Sequence, residues 1–199
     1  MITRGEPWGT PTIRSADDVI ITGDIALAKS SPDHRLIVSG GDIAHSLGDP
    51  SVPQIGAECI EVPIDALQVV VSHRNGGIEE SIASSSVIIG SWFQGRLICV
   101  TNGGSVGARN VSPRAHPNDG FFDVMELDSA MGIRQRLLAR RRSSLGNHIP
   151  HPLISNSRGR NIEVSRSSRR EGLFVDGRRI EPWTKVQIEI LPDYWRLLV

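Results

Sequence analysis

The residues able to do chemistry gather in a few short stretches. The densest is Ser112-Pro113-Arg114-Ala115-His116-Pro117-Asn118-Asp119-Gly120-Phe121-Phe122-Asp123. Pro-Asn-Asp-Gly is first of all a tight turn feeding a strand. The same turn sets the Asp119 carboxylate beside backbone carbonyls, and an all-oxygen donor set in a bent loop suits a hard cation such as Mg²⁺. Asp123, on the outgoing strand, would add a second carboxylate. Asn102-Gly103-Gly104-Ser105-Val106-Gly107 ends an apolar run in bare backbone that could approach a phosphate or a substrate headgroup closely. It lacks the Lys-Ser/Thr pair of a Walker loop, and nothing marks a Rossmann unit. Val175-Asp176-Gly177-Arg178 reads as a two-residue hairpin reversal. His148 and His151 lie in a connector held extended by Pro150 and Pro152, so their spacing fixes no ligand geometry. Structural or exposed roles are expected for them and for His116. No Ser or Cys nucleophile stands beside them, which leaves a hydrolase without support.

The elements that must position these stretches follow from apolar spacing. Strands are expected at residues 18–22, 35–39, 66–72, 78–84, 87–92, 96–101, 121–127, 160–165, 173–175, 185–191 and 194–199. Residues 73–77 contain Asn75-Gly76 and close a hairpin. Short helices are expected at 24–29, capped by Asp24, and at 42–47, directly after Gly40-Gly41. Residues 131–142 form a longer amphipathic helix with Ile133, Leu137 and Leu138 on one stripe and arginines elsewhere. Such a helix would sit on a sheet, lie on an anionic membrane or meet phosphate groups. Residues 4–11 read as an irregular lead-in anchored by Trp8. The fold class is mainly β with α (α+β): an antiparallel β-sandwich with one amphipathic helix, behind a small α/β fragment.

Composition narrows the class. The 199 residues, 39% hydrophobic and 22% charged, suit a globular protein of one domain, or one domain and a fragment. Lys+Arg and Asp+Glu balance at 22 each, so the whole surface does not advertise a nucleic-acid partner. The balance hides a gradient: residues 1–65 hold 10 acids against 4 bases, and residues 134–179 hold 12 arginines against 3 acids. Cys59 and Cys99 are expected to be reduced core residues. No apolar stretch reaches the length of a membrane span and the first residues have no signal-peptide pattern, so a cytoplasmic address is expected, peripheral to the membrane if the basic helix binds there.

Read in order, Asn102-Gly103-Gly104, then Pro113-Arg114-Ala115 with Asn118-Asp119-Gly120, then a helix ending at Gly146-Asn147-His148, then Val175-Asp176-Gly177, resemble the C-terminal β-sandwich of the bacterial diacylglycerol kinase and YegS-like lipid kinases. The resemblance runs from residue 58 to residue 199 and implies a division into an α/β, nucleotide-binding-like fragment at 1–57 and a sandwich at 58–199. Upstream, Ser39-Gly40-Gly41-Asp42-Ile43-Ala44-His45-Ser46-Leu47-Gly48 is similar to the family's Gly-Thr-Gly-Asn-Asp-Phe-Ala-Arg-x-Leu-Gly segment. Gly41 stands there for the family's Asn. The resemblance implies ATP held near Gly40, Gly41 and Asp42, substrate met by Asn102, Gly103 and Gly104, and Mg²⁺ on the Asp119 carboxylate with backbone oxygens of His116 and Phe121. It also implies a general base, the Glu of an Asp-Gly-Glu turn, and this chain has Arg178 in that place. A guanidinium stays protonated and cannot accept a proton. Glu181 would substitute only in a shifted register.

The expectation is therefore a lipid-kinase-like protein with weakened or lost phosphoryl transfer that binds a lipid or phosphorylated small molecule. Only 38 residues precede Ser39, too few for a full nucleotide-binding half with its glycine-rich loop, so the usual ATP donor site is expected to be missing. The alternatives are an active ATP- and Mg²⁺-dependent lipid kinase with an unconventional base and a donor site completed by another subunit, in a homo-oligomer or with a partner, which phosphoryl transfer through positioning and charge would permit, and an assembly protein that supplies its sandwich to a partner chain encoded elsewhere.

Overall fold

The computed structural model describes residues 7–107 and 109–199. The elements are β1 (Thr10–Ile13), β2 (Val19–Thr22), α1 (Asp24–Ala28), β3 (Arg35–Ser39), α2 (Asp42–Ser46), β4 (Glu58–Ser72), β5 (Ile78–Ala83), β6 (Ser86–Gly90), β7 (Leu97–Thr101), β8 (Phe122–Leu127), α3 (Ile133–Arg142), β9 (Ile154–Gly159), β10 (Asn161–Ser165), β11 (Leu173–Val175), β12 (Arg178–Ile180) and β13 (Lys185–Leu198). One sheet has the order β1-β4-β13-β3-β2, with β5 added on β4 and β10 on β13; the second runs β12-β11-β6-β7-β8-β9. Pairing is antiparallel except where β3 lies parallel to β2 and to the end of β13. The expected α+β class, dominated by an antiparallel sandwich, is what the chain forms.

Alternation builds the main core. Along β13, Val186, Ile188 and Ile190 point inward while Gln187 and Glu189 face solvent, the period of two that a sheet with one wet face requires. They join Leu67, Val69 and Val71 of β4 and meet Val87, Ile89, Ile98, Val100 and Phe122 of the second sheet, with Trp183 closing the end. Farther along the same two long strands, Val62, Ile64, Trp195 and Leu197 join Leu36 and Val38 of β3 under Leu27 of α1 and Ile43 of α2. A third cluster lies on the outer face of the second sheet, where Leu97, Cys99, Met125 and Leu127 meet Met131 and Ala139. Both cysteines are free and buried.

Several elements differ from the sequence reading. The expected strands 185–191 and 194–199 are one strand, β13, whose register steps from Leu191 opposite Ala66 to Trp195 opposite Ile64. Pro192, Asp193 and Tyr194 form the bulge, with Asp193 at φ 54, so a proline that looked like a break is absorbed where no ladder bond is needed. β1 and β9 were not anticipated, and β12 is the outgoing arm of the hairpin expected at 175–178; β9, Ile-Ser-Asn-Ser-Arg-Gly, is a polar edge strand without apolar alternation. Thr10–Ile13 is a strand rather than lead-in, residues 4–6 of that lead-in lie outside the described residues, and Trp8 does pack on the second core. In the 73–77 reversal only Gly76 of the Asn-Gly pair has positive φ.

The largest correction concerns α3. Its apolar stripe faces outward, and the residues it buries are Arg136 and Ala139. Arg136 is 1% exposed. Its guanidinium donates to the carbonyls of Met131 (2.8 Å), Asp128 (2.7 Å), Ser91 (3.2 Å) and Gly95, joining the helix to the loops around it. A buried cation is tolerated only with its donors satisfied, and the loop carbonyls satisfy them here.

Candidate functional site

Asp65, in the middle of β4, organises the Pro-Asn-Asp-Gly turn. It is fully buried and accepts hydrogen bonds from Asn118 Nδ2 (2.9 Å), Gly120 N–H (2.8 Å) and Asp193 N–H (2.9 Å). Its own N–H donates to Pro117 O at 2.8 Å, and its carbonyl accepts Asn102 Nδ2 at 2.6 Å. Burial pushes the Asp65 carboxyl up, and the donors pull it back. One acid thus ties the turn, the β13 bulge and the end of β7 together.

The glycines of residues 102–107 serve close approach of the chain to itself. A Cβ on Gly104 would stand 2.3 Å from Ser112 O, and one on Gly103 would stand 2.8 Å from Ser46 Oγ. Ser46 Oγ donates to Gly103 O (3.0 Å), and Gly107 N–H donates to Asp42 Oδ2 (2.9 Å). Residues 40–42, 102–107 and 116–121, picked separately from the sequence, therefore converge on one region.

What meets the start of α2 is a carboxylate of the chain itself. Asp24 does not cap α1; its oxygens accept Asp42 N–H (2.7 Å) and Ile43 N–H (3.0 Å). Burial raises the Asp24 carboxyl, with Asp176 and Asp42 nearby adding to the effect. The Asp176 carboxylate accepts the N–H groups of Ser84 (2.7 Å), Ser85 (2.9 Å) and Ser86 (2.9 Å). Asp176 and Gly177, at φ 45 and 78, make the expected two-residue reversal, with Val175 opposite Arg178. Arg178 pairs with Glu79 at 3.0 Å, and Glu181 is held by Arg166 and Arg179 at 3.3 Å each.

Asp119 is met by a cation of the chain. Arg158 of β9 pairs with its Oδ2, its Oδ1 accepts Phe121 N–H at 3.1 Å, and Arg158 also lies over the Phe121 ring. Asp123, across the β8–β9 ladder from Arg158 and 3.8 Å from its Nε, is pushed up to about 6 by burial, Arg158 opposing and Asp119 adding. No group of three His, Cys, Asp or Glu able to hold a metal forms among the described residues. His116 stacks edge-on against Trp8 and accepts Asn118 N–H, and burial lowers its imidazole. His148 is buried with Nε2 3.1 Å from Val111 O, and burial lowers it too.

Beside Asp123 and Arg158 opens a cavity of about 1000 Å³. Pro113, Ile149, Pro150, Pro152 and Ile154 form its apolar walls, and Arg114, His151, Asp123 and Arg158 its polar lining. Sequence reasoning missed Asp65 and Arg158. An acid inside the apolar run of residues 62–71 was a readable signal for the first; the second is brought to Asp119 only by strand pairing.

The description "YegS C-terminal NAD kinase beta sandwich-like domain" fits residues 63–199 by family model. The chain belongs to this family. This YegS-type sandwich is also similar in fold to a diacylglycerol kinase from Bacillus anthracis str. Sterne, at 17% identity and TM-score 0.53, over 91% of this chain and 77% of that one. It is similar to yeast NADH kinase, crystallised with NADH, at 10% identity and TM-score 0.51, over 92% of this chain and 61% of that one. No curated protein matches the sequence. The YegS-type chain thus has a kinase-like fold related to both. None of its helices, among the described residues, is long and apolar enough to cross a membrane.

Proposed function

We propose that this chain binds an amphiphilic ligand, an acyl-type tail with a phosphate or hydroxyl headgroup, in the cavity beside Asp123 and Arg158, and that it transfers phosphoryl groups weakly or not at all. The observation that carries the reading is the cavity itself: about 1000 Å³, with proline and isoleucine walls, Arg114 at hand for an anionic or hydroxyl headgroup, and Arg158, which pairs with Asp119 through one Nη but stays 46% exposed, beside it. Burial of the tail against those walls would supply most of the affinity. Arg158 and Arg114 would orient the head.

Three arrangements support weak transfer. The residue after Asp176-Gly177 is a cation, which cannot accept a proton, and the nearest carboxylate there, Glu79, is tied up in an ion pair with it. Glu181 is engaged by two arginines. The N–H groups at the start of α2 that would meet a phosphate are donated to Asp24. The Asp119 loop fits Mg²⁺ poorly for the same kind of reason: its one carboxylate is met by Arg158 and Phe121 N–H, so the chain supplies its own positive charge where the ion would stand.

Two measurements test this. Short-chain phosphatidic acid and diacylglycerol, below their micellar concentrations, should bind the whole chain, and Arg158→Ala should weaken the phosphatidic acid at least about tenfold. No binding of either lipid rejects the cavity reading. Incubation with γ-labelled ATP, Mg²⁺ and diacylglycerol should give no transfer at kinase-like rates of about 1 to 100 per second; such rates would favour the working-kinase alternative.

A further inference from the structure

We infer that the outward face of α3, with the turn that follows it, is a docking surface for an anionic lipid bilayer. The inversion of α3 leaves Ile133, Leu137 and Leu138 at 49%, 48% and 46% exposure, with Leu145 at 77% just beyond the helix and Phe93 at 53% beside it. Helical spacing interleaves arginine with them: Arg134, Leu138 and Arg141 fall at i, i+4 and i+7, so cation and aliphatic side chain share one face. Arg140 lies over the Phe93 ring.

Charge selects the occupant. From residue 129 to residue 162 the sequence has no acid. Asp128, just before the helix, turns its carboxylate onto Ala130 N–H at 2.7 Å. Among the described residues Arg134, Arg141 and Arg142 form no ion pair, so their charge is available to an external anion. Aliphatic groups that enter the acyl boundary, with long guanidinium arms reaching back to lipid phosphates, are what an interfacial helix requires. Arg136 secures the helix from beneath, so Leu137 and Leu138 are not needed to hold it down. The inference does not depend on the cavity reading.

The test is co-sedimentation of the whole chain with phosphatidylcholine vesicles, with and without phosphatidylglycerol. Binding is expected only with phosphatidylglycerol and should fall with added salt. Arg134→Gln with Arg141→Gln should weaken it at least about tenfold, and Leu137→Gln with Leu138→Gln by a similar factor. Both variants should melt within a few degrees of the parent, since they alter exposed side chains. Equal sedimentation with neutral vesicles, or no sedimentation of the folded parent, overturns the inference. So does a vesicle-free dimer that the leucine variant abolishes, because the face then belongs to a second copy. If short-chain lipid fails to bind but vesicles sediment the chain, the cavity reading fails and this one stands.

Discussion

Asp123 shows how burial and a neighbouring cation divide control of one carboxyl. Its folded value of about 6 lies above the ordinary carboxylate range, so between pH about 4 and 6 the folded chain keeps a proton that the unfolded chain has released. Stability therefore falls as pH rises through that window, by at most about 3 kcal/mol, and the deficit persists above it. Asp123→Asn should be more stable than the parent at pH 7 by roughly 1 to 3 kcal/mol and equal to it near pH 4. Denaturant titrations at the two pH values would measure this; a variant less stable at pH 7 would mean that pairing with Arg158 outweighs burial. At this scale the sequence was readable where a residue's role is local. Asp119 and Gly120 announce a turn by type alone. Asp24 was misread as a cap for its own helix because its true partners, Asp42 and Ile43, come from a segment the local pattern cannot place.

Apolar spacing located most strands and the three α-helices of the described residues, since each strand must bury one face and turns must fall between them. The face of α3 could not be read that way. Counting Ile133, Leu137 and Leu138 as the buried side assumes that apolar contact seats the helix, whereas a guanidinium meeting carbonyls of two loops, 91–95 and 128–131, does so here. Arg136→Met would leave those carbonyls without their donor and should destabilise the protein by roughly 3 to 5 kcal/mol. A thermal melt close to the parent's would reject the seating role. β13 was split by the same logic. Pro192-Asp193 looks like a terminator until β4 supplies Asp65 to receive the bulge's N–H.

Across the whole molecule, β4 and β13 run 15 and 14 residues and pair along almost their full lengths, carrying the sandwich core at one end and the core under α1 and α2 at the other. Asp65 and its donors bridge the junction. Such continuity predicts one cooperative transition. Trp183 reports the first core and Trp195 the second, so single-tryptophan variants followed by fluorescence in urea should share one midpoint. Two separated midpoints would show that the ends unfold independently.

The polar fastening of α3 separates two kinds of selection. Drift at positions 134, 137, 138, 141 and 145 can retune what the exterior recognises while leaving folding untouched, and the anchoring arginine cannot drift at all. A library sorted for heat resistance would pass over every residue that contacts the outside world on this helix, and one sorted for adhesion would recover them.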